Sequence, residues 1–264
     1  MGQSQYSTLT LSYEGPIALI TLNRPDKRNA ISYELIDELL RALGGVELSA
    51  AQIVILTGAG KAYCSGMDLE NLRAITGRTQ EQNLADSQTM ARLFRTLYEF
   101  PKVTIAAVNG PAIAGGCGLA TLCDFTLASS EATFGYTEVC IGFIPAIVST
   151  FLLRQVGEKQ ARDLLLTGRI IGSDEAYRIG LVSEIVAPEK LLWRARELAG
   201  ELLQNSPASL LATKRLLKSF STSQLERDIS QAVEENARIR STDDFREGVS
   251  SFLEKRRPNW RREP

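Results

Sequence analysis

The chain has no histidine among its 264 residues. That absence excludes Ser-His-Asp and Cys-His catalysis, histidine general bases and every histidine-bearing metal site. A surplus of either charge is also missing, since 30 basic side chains face 31 acidic ones. Such a balance would not hold nucleic acid or an anionic membrane, so neither partner is expected. No apolar run reaches the ~18 residues of a membrane span. The stretch Met1-Gly2-Gln3-Ser4-Gln5 lacks the basic and apolar regions of a secretion signal, and Gly2 alone does not make a myristoylation site. Cysteine is scarce. Cys64, Cys117, Cys123 and Cys140 form no Cys-x-x-Cys and lie among apolar or small residues. They are expected to be buried free thiols, which implies a reducing cytoplasm. No Gly-x-Gly-x-x-Gly follows a strand. The near miss Gly58-Ala59-Gly60-Lys61-Ala62 has Ile55 at the first phosphate-loop glycine and Ala62 at the hydroxyl position. What remains is carboxylate, tyrosine, lysine and backbone-dipole chemistry, with no metal site and no resident cofactor expected.

What is present is concentrated between Val103 and Pro145. Val103-Thr104-Ile105-Ala106-Ala107-Val108 is an apolar run without polar alternation, the pattern of a strand covered on both faces. It breaks at Asn109-Gly110-Pro111. Ala114-Gly115-Gly116-Cys117-Gly118 then leads into Leu119, Leu122 and Cys123 at the spacing of a short buried helix. Peptide N–H groups near Gly115 and Gly116 therefore fall at a helix N-terminus, where negative charge is favoured. Farther on, Glu138 stands among Phe134, Val139, Ile141 and Phe143. Desolvation there pushes its pKa up, toward proton exchange at neutral pH. An anion-stabilising turn beside a lone acid is equipment for moving protons next to a carbonyl.

The rest of the chain reads as α/β layers. Thr8–Tyr13 and Ile17–Leu22 are expected strands joined at Glu14-Gly15-Pro16. A helix follows on Ile31, Leu35, Ile36, Leu39, Leu40 and Leu43, expected to end at Gly44-Gly45. Ile53–Leu56 is a buried strand, and Gln80–Glu99 a helix. After Pro145, short helices are expected over Ile147–Val156, Glu158–Leu166 and Glu175–Arg178, with a strand over Leu181–Val186. From Pro188 onward the pattern is helical, with a capping box expected at Ser223 and Glu226. The division expected is a core over residues 1–187 and a helical region over 188–264. The basic cluster Lys255-Arg256-Arg257 with Arg261-Arg262 reads as a solvated tail, or as contact with a phosphorylated ligand or a neighbouring subunit.

The order Val-Asn-Gly, Ala-Gly-Gly-Cys, Leu-Ala, Cys-Asp, then Phe-Gly-x-x-Glu-x-x-x-Gly-x-x-Pro resembles the crotonase superfamily, that is, the enoyl-CoA hydratase/isomerase family. The resemblance runs from about Leu11 to Trp260. It implies the crotonase-type ββα spiral core, a helical C-terminal trimerisation region and assembly as a homotrimer or dimer of trimers. It also implies a coenzyme A thioester as substrate, with the N–H groups of Met67 and Gly115 as donors to the thioester oxygen. Ser65, Met67, Asp68 and Leu69 then hold coenzyme A from one loop, and Arg28 with the backbone around Ala30 from another. Arg24 and Lys27 share that second loop, and the segment Arg73–Gln82 is expected to set acyl size.

One departure decides how the chemistry reads. Hydratases of this family carry two glutamates, and this chain has Gly118 at the first position and Glu138 at the second. One carboxylate suits an enoyl-CoA isomerase. Yet Gly118-Leu119, Thr137-Glu138-Val139 and Ile144-Pro145-Ala146 resemble a bacterial methylglutaconyl-CoA hydratase-like branch, in which one glutamate plus an ordered water, or a substrate carboxylate, completes the addition. The expected activity is hydration of a short or branched 2-enoyl-CoA, with Δ3,Δ2-enoyl-CoA isomerisation as the alternative. A silent acyl-CoA-binding or RNA-binding relative is the reading from another class. The intact donor segments and Glu138 argue against silence, and the neutral charge argues against RNA. Tyr136 reads equally as an accessory proton donor or as packing.

Overall fold

The computed structural model describes residues 6–220 and 222–260. The stretch Met1–Gln5 and the pair Arg261-Arg262 lie outside them. A six-stranded sheet forms the centre. β1 (Leu9–Glu14) and β2 (Ile17–Leu22) make an antiparallel hairpin. α1 (Tyr33–Leu48) crosses over to β3 (Ile53–Gly58), which pairs parallel with β2. α2 (Leu69–Ile75) and α3 (Gln80–Tyr98) precede β4 (Val103–Val108), parallel to β3. β5 (Ala112–Ile113) then enters a second sheet, and α4 (Gly115–Thr121) returns the chain to β6 (Phe125–Ser129), beside β4. β7 (Thr133–Gly135) pairs with β5 in the small sheet.

After a 3-10 turn at Glu138–Ile141 come α5 (Ala146–Thr167), β8 (Ile170–Gly172) and α6 (Ser173–Arg178). β8 completes the three-stranded sheet and β9 (Glu184–Val186) the six-stranded one. The last four helices are α7 (Leu191–Leu202), α8 (Pro207–Ser219), α9 (Thr222–Ile239) and α10 (Asp243–Leu253).

The expected two-sided burial of β4 is present, and alternation shows how it arises. Ala106 and Val108 join a core with α1, α3 and α4, while Val103, Ile105 and Ala107 join a second core with Leu191, Ala195 and Ala199 of α7. Ile53 and Ile55 against Val54 and Leu56 divide the same way on β3. Period-2 side-chain alternation thus feeds two layers at once. The helical C-terminal third supplies one of them through α7. It reaches the other through Leu225, Ile229 and Val233 of α9.

Three local expectations are corrected. α1 does not stop at Gly44-Gly45 but continues to Leu48, because Val46 is fully buried in the core and offsets the glycine cost of roughly 1 kcal/mol each. Ser223 lies inside α9, so it caps nothing, and Glu226 instead pairs with Arg95. The capping box belongs to α3, between Thr79 and Gln82. The strand placed at Leu181–Val186 is confined to Glu184–Val186, since Leu181 and Val182 turn into the core. The break expected between two helices near Val156 is real: Gly157, at φ 75°, interrupts α5.

Candidate active site

A cavity of about 900 Å³ is lined by Arg28, Ala30, Ser65, Met67, Asp68, Leu69, Gly115 and Glu138, among others. These eight residues, singled out from the sequence, therefore meet at one place, although they come from four separate segments.

Backbone pairing brings the first two segments together. The Ser65 amide donates to the Arg28 carbonyl at 3.1 Å, Ile31 to Gly66 at 2.7 Å, and Asp68 to Ile31 at 3.0 Å. This makes a parallel bridge between Ile31 and Met67. In such a bridge the neighbours of Met67 make the bonds, so its own N–H points to the opposite side. On that side runs the third segment. Cys64 bridges Ala112, and the Ile113 amide donates to the Cys64 carbonyl at 2.9 Å. Counting on in register sets Gly66 opposite Ala114, where a Cβ on Gly66 would lie 3.1 Å from the Ala114 Cβ. One residue farther, Met67 stands opposite Gly115. A Cβ on Gly116 would fall 2.1 Å from the Cys64 carbonyl oxygen, so only glycine allows this approach.

Gly115 opens α4, where the first N–H groups have no intrahelical acceptor. Ala114 before it has φ 52° and ψ −124°, a strained conformation held by its amide bond to the Gly135 carbonyl at 2.7 Å. Among the described residues, neither the Met67 nor the Gly115 N–H is consumed by a backbone partner.

Glu138 begins the 3-10 turn and is 8% exposed. Its Oε2 is buried without a hydrogen-bond partner. Burial raises its pKa to about 7, and a bond from its own amide only partly opposes that. The turn is clamped by α10 at two glycines. A Cβ on Gly248 would meet the Ile141 carbonyl oxygen at 2.2 Å, and one on Gly142 the Asp244 carbonyl oxygen at 2.3 Å. The C-terminal helices thus set the position of the acid.

The other singled-out residues divide. The Asp68 carboxylate is occupied internally, capping α2 at the Glu70 amide (3.0 Å) and pairing with Arg24 at 2.7 Å. Burial would raise its pKa, but the Glu70 amide and the Arg24 guanidinium outweigh burial and hold it below the usual carboxylate range. Arg24 is spent on this bond and on the Ala30 carbonyl, whereas Arg28, at φ 51°, lines the cavity. Tyr136 is outside the cavity lining; its hydroxyl bonds Thr121 at 3.1 Å in the core. The segment Arg73–Gln82 does not line the cavity either. Met90 and Phe94, farther along α3, do so instead. Cys140 is exposed, contrary to expectation, because its turn faces the cavity rather than the core; Cys64, Cys117 and Cys123 are buried free thiols.

Asn29 was overlooked from the sequence. It is fully buried at φ 55°. Its Oδ1 accepts from the Arg24 amide at 2.8 Å, and its Nδ2 donates to the carbonyls of Ala59 (2.9 Å) and Ala62 (2.8 Å). It therefore ties the Arg28 loop to the strand end before Ser65. Asparagine's tolerance of left-handed backbone was the available signal. Asn29→Ala should lower unfolding free energy by on the order of 3 kcal/mol, because three backbone groups lose their partner; denaturant titration measures it.

A side chain at Gly118 would press on Val148 and Phe94. A Cβ would lie 2.7 Å from Val148 Cγ1 and 3.4 Å from the Phe94 ring. Apolar atoms fill the space that a first glutamate would need.

A ββα core with two backbone donors beside a buried acid defines a crotonase-fold protein. A family model described as enoyl-CoA hydratase/isomerase matches residues 12–263, and the chain belongs to that family. A Thermus thermophilus protein, provisionally named an enoyl-CoA hydratase, is 46% identical over 94% of this chain and 98% of its own. The 2,3-dehydroadipyl-CoA hydratase of Escherichia coli is 33% identical over 97% of this chain and 99% of its own. Among solved structures, an enoyl-CoA hydratase/isomerase from Xanthobacter autotrophicus Py2 superposes with a TM-score of 0.88 at 29% identity, covering 95% of this chain and 97% of that one.

Proposed function

We propose that the chain hydrates 2-enoyl-CoA thioesters through an enolate whose oxygen is held by the Met67 and Gly115 amides. The observation that carries this reading is Glu138, whose Oε2 has no partner among the described residues, lining the same cavity as Met67 and Gly115. Each donor contributes roughly 2.7–4 kcal/mol to a developing oxyanion. Arg28, Ala30, Ser65 and Leu69 hold the coenzyme A portion, with Asp68 acting through its backbone. As water adds to C3, Glu138 takes a water proton, the C2=C3 π pair moves toward the thioester oxygen, and the hydroxide bonds C3. The enolate then takes that proton from Glu138 at C2, which restores the carboxylate. Every atom comes from substrate and water, so no cofactor enters.

Glu138 starts as the base. The logarithm of kcat/KM should therefore rise with unit slope up to about pH 7 and be level above it. A stopped assay across pH 5–9 (about that range brackets the group) reads this directly, and a flat profile would move the base elsewhere.

One observation supports a second reaction in the same site. With Val148 and Phe94 filling the space at Gly118, a single carboxyl is available. Glu138 could then carry a proton from C2 to C4 of a 3-enoyl-CoA, which is isomerisation. Incubation with paired 2-enoyl-CoA and 3-enoyl-CoA substrates, followed by mass spectrometry, separates the two. Gain of one water from the 2-enoyl thioester supports hydration; its absence, with 3-enoyl conversion at unchanged mass, favours isomerisation.

We further propose a homotrimer or dimer of trimers. α8 has no buried residue, and Leu216, Leu217 and Phe220 are exposed together at its end. Light scattering at micromolar concentration should give three or six times the 29.0 kDa chain mass. The free thiols support a reducing, cytoplasmic location. Among the described residues no helix is long and apolar enough to cross a membrane.

A further inference from the structure

One end of the cavity carries a charge cluster that the proposed chemistry does not use. Arg240, the residue that follows α9, lines the cavity, and its side chain is 2% exposed. It pairs with Asp86 of α3, itself 4% exposed, and its Nη2 donates to the Asn236 Oδ1 at 2.8 Å. Asp86 has a second cation, Arg78, at 3.1 Å. Arg78 also donates to the Tyr33 hydroxyl at 2.6 Å. That phenol stays neutral, its pKa raised to about 12 by burial and by Asp86. Two guanidinium groups thus share one carboxylate, and the cluster is one positive charge in excess.

Its free hydrogen-bonding groups at the cavity are donors. Arg240 Nε is buried and has no partner among the described residues. The Asn236 Oδ1 is taken by Arg240 and by the Ser87 hydroxyl at 2.7 Å, which leaves the Nδ2 donors to the cavity that Asn236 also lines. A buried cation with unspent donors is costly unless an anion completes it.

The cluster lies along the acyl direction. Phe94 touches the space over Gly115, 3.5 Å from where a Cβ would be. Met90 comes one turn back toward Asp86, and eight residues of helix span about 12 Å. Arg240 also stacks over Phe143 at 5.4 Å, and Phe143 donates its amide to the Glu138 carbonyl at 3.0 Å. An acyl chain running from Gly115 along Phe94 and Met90 would reach the Arg240 end of the same cavity.

We propose that this site takes acyl chains ending in a second carboxylate, which Arg240 and Asn236 receive. This rests on the acyl-CoA reading above and names its substrate class. The test is calorimetric binding of two saturated, unreactive probes, adipyl-CoA (the mono-thioester) and hexanoyl-CoA. Adipyl-CoA should bind about 10- to 100-fold tighter, the range of a charge-assisted hydrogen bond. In Arg240→Met that ratio should fall to near one. Equal or weaker binding of adipyl-CoA to the wild type, or an unchanged ratio in Arg240→Met, overturns the assignment while leaving the acyl-CoA reading intact. Failure of both probes to bind overturns both. Should Arg240→Met not fold because Asp86 loses its buried partner, the Asp86→Asn/Arg240→Met pair removes both charges and is read against the same ratio.

Discussion

Replacing Glu138 by glutamine should cut turnover by roughly 10²–10⁴ while leaving coenzyme A affinity nearly intact. Glutamine keeps the shape of the side chain but cannot accept the proton that water or C2 must give up. The same substitution should stabilise the fold, and only at higher pH. In the folded chain the carboxyl titrates at about 7, against an ordinary value of 4.5. A raised carboxyl pKa means that the folded state binds the proton more tightly than the unfolded state does. Stability is therefore fully present below the unfolded value and is lost as pH rises through the folded one. Above pH 7 the wild type bears an ionised, buried carboxylate with one oxygen unpartnered. Removing that burden should return on the order of 2–3 kcal/mol at pH 8 and close to nothing at pH 4. Paired urea titrations at the two pH values, together with initial rates, check both halves. Loss of activity without the pH-dependent gain would mean that Glu138 is not held protonated by burial. Full turnover would remove it from the chemistry, and Tyr136, enclosed in the core with Thr121, is poorly placed to replace it.

Gly118→Glu should destabilise the protein by about 3 kcal/mol and abolish most activity, rather than install a second working acid. Its Cβ would begin 2.7 Å from Val148 Cγ1, so Val148 must shift, and overpacking of this kind costs about 1–3 kcal/mol before any charge is counted. The carboxylate would then meet Val148 and the Phe94 ring, where ionisation has no compensating donor. Adding Val148→Ala removes the contacting methyl and should recover part of the stability. Thermal unfolding of the single and double variants, with crotonyl-CoA hydration rates, tests this. A well-folded, more active Gly118→Glu would show that the apolar space is wide enough for a two-carboxylate mechanism. The packing of Val148 and Phe94 argues against such a gain.

Both outcomes depend on the C-terminal helices. α10 meets the Glu138 turn through Gly248 and Gly142, and α9 brings Asn236 and Arg240 into the cavity wall. The helical third thus builds part of the site as well as supplying the faces proposed to assemble subunits.

The sequence by itself determined the elements whose cause is local. β4 was legible because a six-residue run with Thr104 as its one polar member needs cover on both faces, and α4 because glycines and then leucines follow at short range. The family resemblance pointed to Met67 and Gly115 as the proposed donors, and Glu138 was singled out because it stands alone among apolar residues. Tertiary structure alone decided what depends on distant chain. Val46 overrode Gly44-Gly45 because burial outweighs helix propensity. Asn29 gained its role only when Ala59 and Ala62 came within reach. Val148 showed that the space at Gly118 is filled, and Arg240 met Asp86 across 154 residues of chain. Local pattern can announce a donor or an acid. Whether a charge is paired, a space filled or a turn clamped depends on which distant atoms arrive there, and that is settled by packing.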